Sequence, residues 1–429
     1  MPVGPRAAGL LLVGLLLLLA ALFTLRTDDL YWLAQVGRDV LETGHLPTHN
    51  RYSFTAPDYP WQTHEWLAEV LVAKASDPVL FGSGLLLCWI PVVLVARVSA
   101  SWPALAGAAV LALETGLAGM VLRPYLLGRA LLAGLLSLRK APPWWATLLG
   151  FALWVNLHGS FGFGLLVLAV RAASSWREWL LPLFAACAGV LINPNGLQGA
   201  LFPLRYLGAR PFVDYIIEWQ PVAGSAWVWF ALAAAPGLLA LWRRRSAREV
   251  PLLLVFGVLA ISARRGLPDL ALVSAMLLAH AAGPGIQPSN PATSGAPVRL
   301  RWVLIAAAAL PFLGYDRFVQ GHDRARPAGL LAYLRASPQP PARLFADFNW
   351  AGSLFQLYPR VRVFLDARND CYPQSIIDAY FTATPATLDE FRADAAALPL
   401  HAPLAEALRA QGWREAFMDA QSVLLTRPP

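Results

Sequence analysis

Uncharged apolar runs recur through the first three quarters of this chain, from Leu10 to Leu25, from Val79 to Val95 and onward to about residue 315. Runs of this length and purity are what a lipid bilayer selects, because a helix crossing it needs about 20 apolar residues. Only 14% of the 429 residues are charged and 57% are hydrophobic. Soluble globular domains carry about 25% charged residues, so a single soluble domain, a disordered chain and a secreted disulfide scaffold are excluded. Three cysteines, Cys88, Cys187 and Cys371, supply neither a disulfide framework nor a metal-ligand cluster.

Met1–Leu25 ends at Arg26, Thr27 and Asp28 rather than at a small-residue cleavage site, so it reads as an uncleaved first span with a cytoplasmic N-terminus. Further spans are expected near 79–97, 103–121, 125–138, 144–157, 160–171, 178–193, 225–242, 250–263, 267–283 and 302–316, about eleven in all. Several are short for a straight crossing, which implies broken helices, especially around His158. Alternation then gives one side Arg97, Arg139–Lys140, Arg171, Arg177 and the Arg243–Arg248 group. That is the cytoplasmic side by the positive-inside rule. The net charge of +8 therefore reports membrane orientation, and no nucleic-acid partner is expected.

The other face receives almost all the polar, motif-like sequence. The first outer loop, 26–78, places Leu30, Leu33, Val36, Val40 and Leu41 on one helical stripe ended by Gly44. Thr63 is placed to cap a second helix presenting Trp66, Leu67, Val70 and Leu71. Both are expected to lie at the membrane surface. The segment 284–298 reads as a linker, and the tail from about 325 to 429 as a small soluble α/β domain. In it, strands are expected at 342–347 and 361–366 around a helix at 350–358, followed by helix over 385–410 and a last strand near 421–426.

Each polar cluster on the outer face has a chemical and a plainly structural reading. Asp28 and Asp29 either cap the surface helix or offer a carboxylate as general base or cation ligand. His64 and Glu65, with Glu69 one turn later, suit substrate contacts or a divalent cation; Asp29 and Glu65 are the metal candidates, with Mg or Mn as the cation. Arg123, Arg129, Arg205, Arg210, Arg264 and Arg265 place positive charge against the topological rule, which phosphate binding explains because guanidinium forks match phosphate oxygens, the alternative being pairing with Asp28, Asp29, Glu65, Glu218 or Asp269. Asn156–His158 and Asn193–Gly196 are turn chemistry, with His158 and Asn156 also able to contact a sugar or phosphate. Glu218-Trp-Gln220 suits sugar contacts. In the tail, Asp366 and Arg368 are expected to face the membrane cavity and help hold an acceptor, the alternative being an ion pair that fixes a turn.

The whole chain resembles the GT-C-like integral-membrane glycosyltransferases of bacteria. The resemblance runs through Asp28-Asp-Leu-Tyr-Trp32, Gly44-His-Leu-Pro47, Tyr52-Ser-Phe-Thr55, Trp61-Gln-Thr-His-Glu-Trp-Leu-Ala-Glu69, Asn156-Leu-His-Gly159, Asn193-Pro-Asn-Gly196, Glu218-Trp-Gln220 and Arg264-Arg265. In the tail it includes Asp347-Phe-Asn-Trp-Ala-Gly352, Val363-Phe-Leu-Asp-Ala-Arg-Asn369 and Gly412-Trp413. It implies an α-helical polytopic domain over 1–320 and an extracytoplasmic α/β domain over 325–429, in a bacterial plasma membrane. It implies a polyprenyl-phosphate- or pyrophosphate-linked sugar as donor, with a glycan, lipid or protein as acceptor. An essential acid just after span one corresponds to Asp29 or Asp28, and donor phosphate contacts fall to Arg264, Arg265 and Arg123. Tyr31-Trp32-Leu33-Ala34 lacks the histidine that often follows the paired aromatics in relatives, which leaves a metal open. Two other classes remain, a non-catalytic scaffold of an envelope complex and a flippase of lipid-linked intermediates. Against the flippase, few charges fall inside the expected spans, Glu114 among them, and no repeat is visible.

Overall fold

The computed structural model describes residues 28–99, 101–117, 123–208, 212–244, 249–282, 327–368 and 370–428. The expected first and eleventh spans, the linker 284–298, Arg210 and Asn369 lie outside the described residues. The chain forms two compact units, one made of Met1–Leu25 with Ser76–Phe318, the other of Arg26–Ala75 with Val319–Pro429.

The described part of the first unit contains nine apolar helices at the nine expected positions: Asp77–Val98, Trp102–Leu117, Tyr125–Ser137, Trp144–Leu157, Phe161–Ser174, Trp176–Gly189, Ala226–Arg244, Val250–Ser262 and Leu267–Ala282. Asp77–Val98 and Ala226–Arg243 are long and apolar enough to cross a membrane on their own, and the rest are shorter. Leu267–Ala282 is the central helix. It is buried on every face from Leu267 to Ala279 except at Asp269, the signature of an element surrounded by other helices. Gly107 lets the helix Trp102–Leu117 close on it, since a Cβ there would stand 3.3 Å from Ala275. Outward, Leu86, Leu149, Leu181, Phe184, Leu204, Leu254 and Val258 are all more than half exposed. So wide an apolar surface is covered by lipid.

The second unit joins the first outer segment to the tail. Its helices Asp29–Thr43 and Trp66–Lys74 form near the expected positions. The first buries its stripe at Leu30, Leu33, Val36 and Val40, though Leu41 is 45% exposed, whereas the second buries Ala68 and Glu69 rather than the expected Trp66, Leu67, Val70 and Leu71. Gly44 ends the first helix at φ +69°, a conformation that favours glycine. The helices cross at Gly37, where an added Cβ would collide with the Glu69 carbonyl and approach Ala73 Cβ to 2.9 Å. Thr63 is not the N-cap of the second helix. Glu65 takes that position, and Thr63 Oγ1 accepts the Glu65 N–H and donates to Glu69 Oε1 at 2.7 Å.

The tail builds a five-stranded sheet from β1 (Arg343–Ala346), β2 (Arg362–Val363), β3 (Ala395–Pro399), β4 (Arg414–Met418) and β5 (Ser422–Thr426), in the order β2-β1-β3-β5-β4. β1 runs parallel to both β2 and β3, while β5 is antiparallel to β3 and β4. The helix expected over 385–410 is in fact helix Pro385–Glu390, strand β3 and helix Pro403–Ala410. Ala395–Leu398 is a fully buried central strand, so burial on both faces overrides the helix preference of alanine. The first outer segment adds to the free edge of β2: Val363 N–H donates to Tyr52 O and Phe54 N–H to Val363 O, giving a parallel bridge at Ser53. Ser53 and Thr55 hydroxyls both donate to Phe364 O, at 3.0 and 2.6 Å. Residues 26–75 thus belong to the same compact unit as the tail.

Candidate functional site

Asp28 and Asp29 divide their roles. The Asp28 carboxylate accepts the backbone N–H groups of Gly352 and Ser353, the latter at 2.7 Å, and so ties the start of the outer segment to the tail. Burial pushes its carboxyl well above the usual range, those two N–H groups hold it back in part, and the charges of Asp29 and Asp366 add to the rise. Asp29 sits in the first helical turn, 8% exposed, and accepts the Trp32 indole N–H at 3.2 Å.

A second polar group in this unit unites outer segment and tail. His64 lies between two carboxylates, with Nδ1 3.7 Å from Asp370 and Nε2 3.8 Å from Glu65. Asp370 also accepts the Trp61 indole N–H at 2.9 Å. Burial alone would lower the His64 pKa, but Asp370 and Glu65 outweigh it and raise it. Glu69, fully buried, is pushed well above the carboxylate range, by burial first and then by Glu65, despite the Thr63 hydroxyl on one oxygen. His64, Glu65 and Asp370 keep partial access to solvent, with side chains 21%, 11% and 27% exposed. Among the described residues no three His, Cys, Asp or Glu side chains are grouped to hold a metal ion, so neither Asp29 nor Glu65 belongs to such a set.

Asp366 and Arg368 do not face a cavity. Both are buried, at 0% and 2% exposure. Arg368 donates through Nε and Nη2 to the two Asp366 oxygens, each at 2.8 Å, and through Nη2 to Asn50 Oδ1 at 2.6 Å. The Tyr372 hydroxyl donates to the same carboxylate. Tyr52, Trp61 and Phe355 cover the guanidinium, 4.5–5.2 Å from its carbon. An acceptor cannot reach this pair in the folded domain; its place is to lock the outer segment onto the tail.

In the first unit, arginines converge on one end. Arg123, leading into the helix Tyr125–Ser137, pairs with Glu218 at 3.3 Å. Glu218 lies in the single turn Ile217–Trp219. The following residues run beside the turn Arg264–Gly266, because Gln220 O accepts the Arg264 N–H at 3.0 Å and Val222 N–H donates to Ile261 O. Arg264 Nε donates to Pro221 O, and Arg265 stacks on Trp219, 4.0 Å from the ring centre. One turn on, Asp269 accepts from Arg129 Nε at 2.9 Å. Arg123 and Arg129 are thus paired with Glu218 and Asp269, while Arg264 and Arg265 lie against a carbonyl and an indole ring, and the surplus is positive. Such a set suits an anionic phosphate. The turn His158–Ser160 packs near this end, with Gly128 against Ser160. His158 Nδ1 accepts the Ser160 N–H at 3.1 Å, and Asn156 donates to Ala152 O and Ile192 O. Both thus hold the turn. Sequence reasoning left Asp269 as a mere counter-charge, although a lone acid in the first turn of an apolar helix is itself a signal. Arg205 is exposed and apart from these contacts.

No protein-family profile matches the chain. One stretch of 136 residues, 31% of the chain, is 31% identical to Disulfide bond formation protein B of Acidovorax sp. (strain JS42), spanning 72% of that protein. Cys88, Cys187 and Cys371 are free, the first and last of them buried. The apo structure of ArnT from Cupriavidus metallidurans is similar over 98% of both chains, with a TM-score of 0.50 and 15% identity. The same protein bound to undecaprenyl phosphate gives 0.49, at 15% identity over 99% of this chain and 98% of that one. An oligosaccharyltransferase of Archaeoglobus fulgidus gives 0.45, at 11% identity over 91% of this chain and 69% of that one. The chain thus shares its fold with ArnT, with a helical part and a small α/β domain.

Proposed function

We propose that this chain is an extracytoplasmic glycosyltransferase of a bacterial inner membrane, moving a sugar from a polyprenyl-(pyro)phosphate carrier to a glycan, lipid or protein of the envelope. The observation that carries the proposal is the meeting of Arg123, Arg129, Arg264 and Arg265 at one end of the helical unit. Charge of this sign is unexpected there under the positive-inside rule, and it matches the leaving phosphate of such a donor.

Asp29 is the group assigned to the acceptor. Asp28 already accepts two backbone N–H groups that tie it to the tail, and Asp29, one residue on, lies in the first turn of the helix, where it accepts the Trp32 indole N–H. In the reaction Asp29 takes the acceptor hydroxyl proton, and the acceptor oxygen bonds to the anomeric carbon. The bond from that carbon to the carrier phosphate breaks, its electron pair leaving with the phosphate, whose charge Arg264, Arg265 and Arg123 stabilise. Direct displacement inverts the anomeric centre. Glu65 and His64, both partly exposed, and Glu218 beside the arginines are assigned to sugar contacts. The N-terminus is assigned to the cytoplasm and the tail to the outside. Exposed Trp144, Trp145, Trp176 and Trp242 beside Arg139, Lys140, Arg177 and Arg243 support that frame, since aromatic residues anchor helices at the headgroups.

Asp29→Asn tests the assignment. It keeps the side-chain size and an acceptor oxygen for Trp32 but cannot take the proton. Sugar transfer by the purified protein should fall at least ~100-fold, the lower scale for losing a general base, while donor binding and melting stay near wild type. Full transfer in Asp29→Asn and in the Asp28→Asn/Asp29→Asn double variant would remove the chemical support for a transferase. Carrier flux across liposomes without transfer would instead establish a flippase.

A further inference from the structure

The arginine that binds most deeply at the outer end is Arg129. Its side chain is 4% exposed, inside an apolar helix. Tyr125 stacks on the guanidinium, 4.8 Å from ring centre to carbon. Stacking fixes the plane of the fork and leaves its N–H edges for hydrogen bonds. Asp269 Oδ1 occupies Nε at 2.9 Å. Nη1, on the other edge, has no hydrogen-bond partner among the described residues. A buried guanidinium N–H without a partner costs stability, so it calls for a ligand. Asp269 differs from its partner in access: its side chain is 21% exposed, on the turn that follows Arg264 and Arg265.

We propose that Arg129 is a phosphate ligand and that Asp269 is its resident counter-ion, which the phosphate group displaces or shares. This rests on the donor reading above and adds to it a device for turnover. With the phosphate absent, Asp269 keeps the buried guanidinium paired, which a charge at this depth requires. With it present, the oxygens take the edge carrying Nη1 and compete with Asp269 for Nε. Because Asp269 opposes the phosphate, it weakens the hold on the carrier phosphate that remains after the sugar has left. The ligand chemistry is a phosphate monoester or diester, of a lipid headgroup or of a free phosphate.

The sign of one substitution separates this from a purely structural ion pair. Full-length protein in nanodiscs is titrated with undecaprenyl phosphate, with undecaprenol and with inorganic phosphate. Asp269→Asn should bind undecaprenyl phosphate about fivefold more tightly than wild type, the scale of a part-exposed ion pair. Arg129→Gln should bind it at least ~10-fold more weakly, the scale for removing one partner of a buried charge pair. Undecaprenol binding should change in neither. A structural pair predicts lower melting temperature in both variants and no gain of affinity in Asp269→Asn. The Arg129→Met/Asp269→Leu variant, which replaces the pair by apolar groups and keeps the fold packed, should also lose at least ~10-fold.

Unchanged affinity in the double variant, or equal or weaker binding by folded Asp269→Asn, overturns the proposal while leaving the donor reading intact. If inorganic phosphate follows the predicted ranking but wild type does not bind undecaprenyl phosphate, the phosphate site stands and the donor reading falls. Wild type that binds neither overturns the site itself.

Discussion

Replacing Arg368 by Met asks what holds the first outer segment to the tail. The substitution keeps an unbranched side chain that can pack against Tyr52, Trp61 and Phe355. It removes two charge-assisted bonds to Asp366 and one to Asn50. The Asp366 carboxylate, fully buried, then keeps the Tyr372 hydroxyl and the Arg368 backbone N–H as donors. Stranding one member of a buried pair costs about 3–5 kcal/mol. For a unit of about 160 residues, where each kcal/mol moves the melting point by about 2–4 °C, the transition should drop by about 6–20 °C. Asp366→Asn in the same chain removes the stranded charge and should restore part of the loss. The assay is thermal melting of the full-length protein followed by tryptophan fluorescence, with limited proteolysis of residues 45–62 as a local probe. Arg368→Met that melts within a degree of wild type, yet has lost sugar transfer, would refute the structural role and place Arg368 on the acceptor.

Glu69 gives the second unit a pH dependence of known sign. Its pKa is raised in the folded state, so the folded protein binds more protons than the unfolded chain, and stability falls as pH rises from about 4.5 through the folded value; His64, also raised, adds the same sign above about 6.5. Melting should therefore be lower at pH 8 than at pH 5, and Glu69→Gln should flatten that slope while keeping the Thr63 bond; an unchanged slope would show that Glu69 is not the titrating group. Gly37→Ala should lower melting by the equivalent of about 1–3 kcal/mol of overpacking, because its Cβ meets the Glu69 carbonyl, whereas Gly82→Ala, with open space around it, should be neutral or stabilising. A phosphatase reporter that folds only in the periplasm, fused after Pro429, should be active; activity of a cytoplasm-only reporter there would reverse the orientation.

The helical unit was legible because lipid imposes one rule on every residue of a span, and that rule survives in composition. All nine described apolar helices fall where uncharged runs and loop arginines place them. The outer segment was legible only locally. The stripe Leu30, Leu33, Val36 and Val40 and the stop at Gly44 follow from helical spacing. Nothing in the spacing of Asn50, Ser53, Thr55 and Trp61 shows that their partners lie about 310 residues away at Phe364, Arg368, Asp370 and Cys371. Long-range bridging leaves no period in the sequence. For the same reason Asp366 and Arg368 read as a loop aimed at a cavity, when two aromatics and an asparagine from the outer segment close over them. Ala395–Leu398 misled in another way: alanine favours helix in isolation, and only the neighbours β1 and β5 make it a strand. At the arginine end, the sequence shows the charges but not their pairing, since Arg129 and Asp269 are 140 residues apart.

The central claim is transfer of a sugar from a lipid-phosphate carrier, and it is tested most directly by following label. Purified protein, reconstituted in liposomes with a radiolabelled polyprenyl-phosphate sugar and an envelope fraction as acceptor, should move label from the lipid phase to the acceptor over many turnovers. Transfer should need Asp29 and fail in the Arg264→Ala/Arg265→Ala variant. Label that stays on the carrier with active-looking wild-type protein, across donors of mono- and pyrophosphate type and the full acceptor fraction, would contradict the account.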